Sequence, residues 1–311
     1  MSKVKETIKI VLVMAVLAVG VFFGVNYLLH PQNESATTTP TTTKKTTAKK
    51  TPHKAKINLV AVGDSLTEGV GDESEGGYVG QIKKTLTTKQ KLKVTTTNAG
   101  KSGDRSDQIL ARINKSKVLQ QKIAKADVIT VTVGGNDLLQ TLEGSLTSNN
   151  TAKNNATVAK AQTLYANKLT KLFNKLQSLN GTASVFVFSI YNPIYVNFPN
   201  VTSITHYISQ WNDQTQTTVS QYKHTYFMDI NWTMSHGQYK TAAQIRKLKK
   251  AASATTLTSS KAITGALETE NKTNDLISTA DNFHPNKRGY RVFTTKLYQT
   301  MMAHDAWLIK K

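Results

Sequence analysis

The stretch INLVAVGDSLTEGVG, Ile57 to Gly71, passes from apolar to polar at one glycine. Its first six residues form a short apolar run that Gly63 stops, which is the pattern of a buried strand. What leaves the strand is Asp64-Ser65-Leu66. A serine in that place has three readings: a helix cap, a phosphate ligand or a nucleophile.

The same strand signal recurs four times. KLKVTTTNAG (91–100) ends at Gly100, ADVITVTVGGND (126–137) is halted by two glycines, ASVFVFSIYNP (183–193) stops at Pro193, and YFMDI (226–230) is a short fifth run. Helical spacings lie between them. Tyr78, Ile82 and Leu86 mark one face, and Ile109, Leu110 and Ile113 another. Residues 156–180 form a long amphipathic helix stopped by Gly181, and a further helical segment covers 203–222. Residues 241–275 are rich in Lys, Ala and Thr and read as helical pieces and loop. Residues 285–308 close the chain as a helix with Pro285 in its first turn. Strands that alternate with helices build parallel βαβ units, so the expected class is α/β with a central sheet covered on both faces. In such sheets, sites form beyond the carboxyl ends of the strands. Polar clusters stand there: Gly63-Asp64-Ser65, Asn98 to Gly103, and Gly135-Asn136-Asp137.

The 311 residues include no cysteine, which excludes a disulfide framework, zinc thiolates and a cysteine nucleophile. The net charge is +21; residues 1–56 hold nine Lys and two acids, a net +7, so +14 belongs to the remainder. A basic chain favours anionic surroundings. Nucleic acid is not expected, because no reader motif accompanies the lysines. Residues 10–29, IVLVMAVLAVGVFFGVNYLL, are interrupted only by Asn26 and are long enough for the ~30 Å hydrocarbon core. Lys3, Lys5 and Lys9 precede them, and His30 to Thr43 contain no Lys or Arg. That asymmetry places residues 1–9 in the cytoplasm and the rest outside, with 10–29 as a transmembrane signal-anchor. A cleaved signal peptide, giving a secreted protein, is the competing reading. Residues 30–56 are a Thr/Lys-rich segment without apolar period, read as a disordered tether that could touch an anionic cell-wall polymer. The domain proper is 57–311.

Several motifs fail. AGKSGD (99–104) looks like the tail of a P-loop, but the required early glycine is Thr95. Asp72, Glu73 and Glu75 do not follow the order of an EF-hand. No HExxH exists, and the G-x-S-x-G elbow fails at Thr67. A serine nucleophile needs a base, and the base needs an orienting acid. STADNFHPNKRGY supplies them: among seven histidines, only His284 has an acid three residues before it, Asp281, and a proline after it. Oxyanion donors are available from the Ser65 amide, the backbone at Gly103 and the side chain of Asn136.

These residues carry a resemblance. Gly63-Asp64-Ser65-Leu66, Asn98 to Gly103, Gly134-Gly135-Asn136-Asp137 and Asp281-Asn282-Phe283-His284-Pro285 are similar, in order, to the four blocks of the SGNH hydrolases, also called GDSL-type esterases and lipases. A membrane-anchored extracellular member, like the bacterial lysophospholipase-like proteins, is the nearest description. The resemblance implies a flavodoxin-like three-layer α/β/α sandwich with a mostly parallel five-stranded sheet. It implies catalysis by Ser65, Asp281 and His284, with Ser65, Gly103 and Asn136 as oxyanion hole. It implies no metal and no organic cofactor. The substrate would be an ester: an acyl lipid, a short-chain ester or an O-acetylated sugar. Tyr191, Tyr195 and Phe198 could line an acyl cleft or be ordinary core. Two rivals remain, an O-acetyl esterase of cell-wall polysaccharide and a non-catalytic surface-binding module. After Gly103 the chain reads Asp104-Arg105-Ser106, where many family members carry a threonine.

Overall fold

The computed structural model describes residues 52–145, 151–252 and 274–310. The 10–29 run, nearly all of the tether and most of the Lys/Ala/Thr-rich stretch after 252 lie outside the described residues.

Each of the five strand-like runs forms a strand: β1 (Lys56–Gly63), β2 (Lys93–Gly100), β3 (Val128–Val131), β4 (Ser184–Phe188) and β5 (Thr225–Met228). They make one sheet in the order β2-β1-β3-β4-β5, and every neighbouring pair is parallel. That order is the flavodoxin-like one, whose direction of progression reverses between β1 and β3. A short α1 (Ser65–Glu68) follows β1, then α2 (Gly77–Gln90). Helices α3 (Ser106–Lys115) and α4 (Lys117–Ala124) join β2 to β3. Helices α5 (Gly135–Ser145) and α6 (Thr151–Leu179) join β3 to β4, and α7 (Thr202–Val219) joins β4 to β5. Then come α8 (Asn231–His236), α9 (Ala242–Ala251) and α10 (Lys287–Ala303).

Strand alternation divides the core into two layers. On β1, Val60 and Val62 face one layer with Ile109, Leu138, Leu169, Phe173 and Trp211. Ile57, Leu59 and Ala61 face the other with Tyr78, Ile82, Phe293 and Leu297. Helices α3 to α7 therefore cover one face, and α2 and α10 the other. Removing a fully buried side chain such as Leu297 costs about 2–5 kcal/mol, so α10 is bound firmly to the sheet.

The structure departs from the sequence reading in three places. Helix α4 was not expected; Ser116 starts it by accepting from the Leu119 amide at 3.1 Å. Helix α10 begins after Pro285, not with it, because the Asn286 side chain caps it by accepting from the Arg288 and Gly289 amides. Pro285 instead bridges to Ile277. The domain also reaches back over residues 52–56, which composition groups with the tether. Lys54 donates its amide to Leu308 O at 2.7 Å and pairs its side chain with Asp127, and Lys310 donates to Pro52 O.

Candidate active site

The nucleophile position is built by the exit from β1. A side chain on Gly63 would run into the Thr132 and Thr67 hydroxyls, at 2.3 and 2.5 Å from its Cβ, so only glycine lets β1 end against β3 here. The cap of α1 is Asp64, not Ser65. Asp64 Oδ1 accepts from the Leu66 amide at 3.0 Å and from Thr132 Oγ1 at 2.7 Å. Ser65 is thereby released from capping and stands as the first helical residue.

Behind Asp64 runs a chain of buried hydroxyls: Thr132 to Thr67 at 2.8 Å, Thr67 to Tyr78 at 2.9 Å, Tyr78 to Thr130 at 3.0 Å. Each hydroxyl has one proton. With Asp64 ionised and only accepting, the hydroxyl protons can run one way, from Thr130 through Tyr78, Thr67 and Thr132 to the carboxylate; Thr67 Oγ1 also lies 3.4 Å from Val62 O. Burial pushes the Asp64 carboxyl above its ordinary range, opposed by hydrogen bonds from Thr132 and Leu66 and then by the charge of His284. Burial also pushes the Tyr78 hydroxyl well up, which keeps it neutral.

The base arrives on a strap, residues 274–286, that leads into α10. Asp281 Oδ1 accepts from the Phe283 and His284 amides, both at 3.0 Å, closing a tight turn. Its Oδ2 lies 2.5 Å from His284 Nδ1. The other ring nitrogen, Nε2, is 2.8 Å from Ser65 Oγ. Burial raises the Asp281 pKa, but the His284 side chain and the two amides outweigh it and hold the carboxyl below its usual range. An ionised Asp281 fixes the proton on Nδ1 and leaves the Nε2 lone pair facing the serine. The strap is closed by Ser278 N donating to His284 O at 2.8 Å, and Asn286 Nδ2 donates to Asp275 O and Ile277 O at 3.0 Å.

The oxyanion candidates come from the ends of β2 and β3. Lys101 to Asp104 form a turn closed by Asp104 N on Lys101 O at 3.2 Å; Gly103 has φ +81°, the third-position conformation of a type II turn. Asn136, in the first turn of α5, donates one amide hydrogen to Asp104 O at 3.0 Å, and its second is left for the cleft that it lines with Ser65. Asp137 accepts from Ser106 N at 2.9 Å and Ser106 Oγ at 2.6 Å, which clamps the loop after Gly103 onto α5. Ser65 N and Gly103 N have no acceptor among the described residues. Gly103 itself is exposed and does not line the cleft; Asp104 ties it to Asn136.

The family model described as GDSL-like Lipase/Acylhydrolase matches residues 61–292. The chain belongs to this family. As a GDSL-family protein it is an ester-bond hydrolase. It is 28% identical over 252 residues to the uncharacterized protein YpmR of Bacillus subtilis, covering 81% of this chain and 84% of that one. It is 42% identical over 88 residues to the spore germination lipase LipC of Bacillus licheniformis, covering 28% of this chain and 41% of that one. Among solved structures, the lipase Lip_vut3 from a goat rumen metagenome matches with a TM-score of 0.57 at 24% identity, over 78% of this chain and 96% of that one. A variant of Axe2, an acetyl xylan esterase of Geobacillus stearothermophilus, matches with a TM-score of 0.50 at 15% identity, over 78% and 93%. These two likenesses concern the fold.

In this GDSL-family hydrolase, the cleft at Ser65 is small, about 40 Å³, and is bordered by Asn136, Ile190, Tyr191, Pro193 and Phe283. It shares Ile190, Tyr191, Pro193 and Phe283 with a larger apolar pocket of about 270 Å³. Leu138, Leu139 and Leu142 of α5 line that pocket on one side, and Ile204 and Ile208 of α7 on another. Of the three aromatics considered from sequence, only Tyr191 borders it, fixed by donating to Phe283 O at 2.8 Å. Tyr195 packs on His236, and Phe198 is core. The pocket leucines were missed because their spacing is that of any core-facing helix. Asp72 is structural: its carboxylate accepts from Ser74 Oγ, the Glu75 amide and Gln81 Nε2. Among the described residues no group of acids and histidines is arranged to hold a metal ion, and no helix is long and apolar enough to cross a membrane.

Proposed function

We propose that this protein hydrolyses carboxylic esters through Ser65, His284 and Asp281, and that it prefers an acyl group longer than acetyl. The observation that carries the first part is the alignment of Ser65 Oγ, both ring nitrogens of His284 and Asp281 at 2.8 and 2.5 Å. Ser65 Oγ attacks the acyl carbon while Nε2 takes its proton. The oxyanion is received by the Ser65 amide and Asn136 Nδ2, which border the cleft. His284 returns the proton to the leaving alcohol, giving an acyl-serine. Water then repeats the sequence: its proton goes to His284, its oxygen to the acyl carbon, and Ser65 is released with the acid. Asp281 stays ionised throughout and stabilises the imidazolium.

The acyl preference rests on the 270 Å³ pocket with its leucine and isoleucine walls. An acetyl group needs none of it, since the cleft at Ser65 would suffice. The test is hydrolysis of p-nitrophenyl esters from acetate to laurate by wild type and by Ser65→Ala. We expect kcat/KM to rise toward medium chains, and Leu142→Trp to shift the optimum to shorter ones by about tenfold in the ratio. A monotonic preference for acetate makes the O-acetyl esterase reading the better one. Absence of turnover and of fluorophosphonate labelling at Ser65 would leave a binding module. We further propose that the reaction takes place outside the cytoplasm, with residues 10–29 as anchor, supported by the charge asymmetry around that run. Protease added to intact cells should then remove the domain.

A further inference from the structure

We propose that Arg112 is a positioning residue that sets the oxyanion site in register with the nucleophile. This rests on the catalytic reading above. Arg112 lies on α3 and reaches back over the carboxyl ends of two strands. Its Nη2 donates to Gly63 O at 2.9 Å, immediately before the Asp64-Ser65 exit. Its Nη1 donates to Ala99 O at 2.5 Å, at the end of β2. Its Nε donates to Asp104 Oδ2 at 2.9 Å, and the Asp104 side chain is 8% exposed. The Asp104 carbonyl in turn receives Asn136 Nδ2 at 3.0 Å. One planar group thus holds the segment before Ser65, the strand before the Gly103 turn, and the residue against which Asn136 is set.

The geometry calls for arginine in particular. Three acceptors on three segments are met by a fixed fork of N–H donors, whereas an ammonium presents one compact centre. The two carbonyls are backbone atoms of different strands, so the contact fixes their separation rather than a side-chain rotamer. Displacement of catalytic donors by about 1 Å costs on the order of 10²-fold in rate. On the other side, the same loop is clamped by Asp137 through Ser106, so loss of Arg112 should loosen the loop without releasing it.

The test is a double-substitution cycle of Arg112→Lys with Asn136→Ala, read as kcat and KM on one p-nitrophenyl ester, with thermal melts of every variant. Asn136→Ala alone should lower kcat about 10²–10³-fold. Arg112→Lys alone should lower kcat about 10–100-fold at unchanged KM. In the Arg112→Lys background, Asn136→Ala should cost less than about tenfold more, because the donor is already misplaced. Asp104→Asn, which keeps its carbonyl, should show a milder loss of the same kind and guards against a misfolded Arg112 variant. Full activity of Arg112→Lys, additive effects, or a loss accounted for by the unfolded fraction would each overturn the proposal. If Asn136→Ala itself has no effect, the oxyanion reading fails instead, so the two failures are distinguishable.

Discussion

The two sides of the site are fastened in different ways. Ser65 stands where β1 leaves the sheet and is 6% exposed, backed by a fully buried aspartate and a row of hydroxyls. His284 rides on a half-buried strap, and its partner Asp281 is exposed. The strap is held by a bridge between Ile277 and Pro285, the Ser278–His284 backbone bond, the side chain of Asn286 and a buried donation from Asn274 to Met234 O. The nucleophile side is fixed by burial, which is lost only when the sheet opens. The base side is anchored in the core at its ends by Asn274, Ile277 and Pro285, but the turn at 279–281 that carries Asp281 faces solvent and is held by a few hydrogen bonds, which open at lower free energy. The difference places rigidity where a small displacement of Ser65 or its donors would be most harmful, and leaves the proton acceptor on the looser part.

The largest effect ignores this difference. Ser65→Ala and His284→Ala should each lower kcat by about 10⁴-fold or more, and the double variant should be little worse, because the two act as one unit. Esterase turnover by purified variants measures this; a His284→Ala enzyme retaining a tenth of the activity would break the comparison from the strap side. Loosening the strap should come next. Asn286→Ala removes the α10 cap and two donors to the strap, so it should lower stability by about 0.5–2 kcal/mol and kcat about tenfold. The activity loss should grow on warming well below the melting temperature; a loss that tracks global melting alone would mean the strap does not open separately.

The smallest effect separates the two carboxylates by pH. Asp281 is held below its ordinary 3.8. Its contribution to stability is therefore complete above that value and is lost as pH falls through its lower folded pKa. Asp64 is raised above 3.8. Its contribution is complete below 3.8 and is lost as pH rises through the raised value. Asp64→Asn should accordingly raise the melting temperature at pH 7 relative to its effect at pH 4, while Asp281→Asn should lower it at pH 7. Melts at the two pH values in which both variants shift alike would remove the contrast.

Much of this was legible in the sequence. The strands were plain because parallel strands buried on both faces are nearly continuous β-branched runs, as in VITV and SVFVF. The contact between Asp281 and His284 was legible because they fall within one turn. The division of labour between Asp64 and Ser65 was not, since either can cap a helix and only the position of Thr132 decides it. Arg112 gave no signal among forty Lys and Arg residues; its role depends on where two strand ends meet. The apolar pocket beside the cleft was illegible for the opposite reason: its residues, such as Leu138, Leu142 and Ile208, look like core, and they belong to it.

Ser65 and His284 are 219 positions apart, so the reactive pair is a contact between distant parts of one chain. A ribosome working at about 5–20 residues per second delivers the serine roughly ten to forty seconds before the histidine. Through that interval Ser65 is an ordinary alcohol, inert toward esters it might meet. On the proposed mechanism, a chain cut anywhere between Ser65 and His284 keeps the nucleophile and remains silent. Ester turnover by that mechanism counts only chains that have been made past the strap and have closed it.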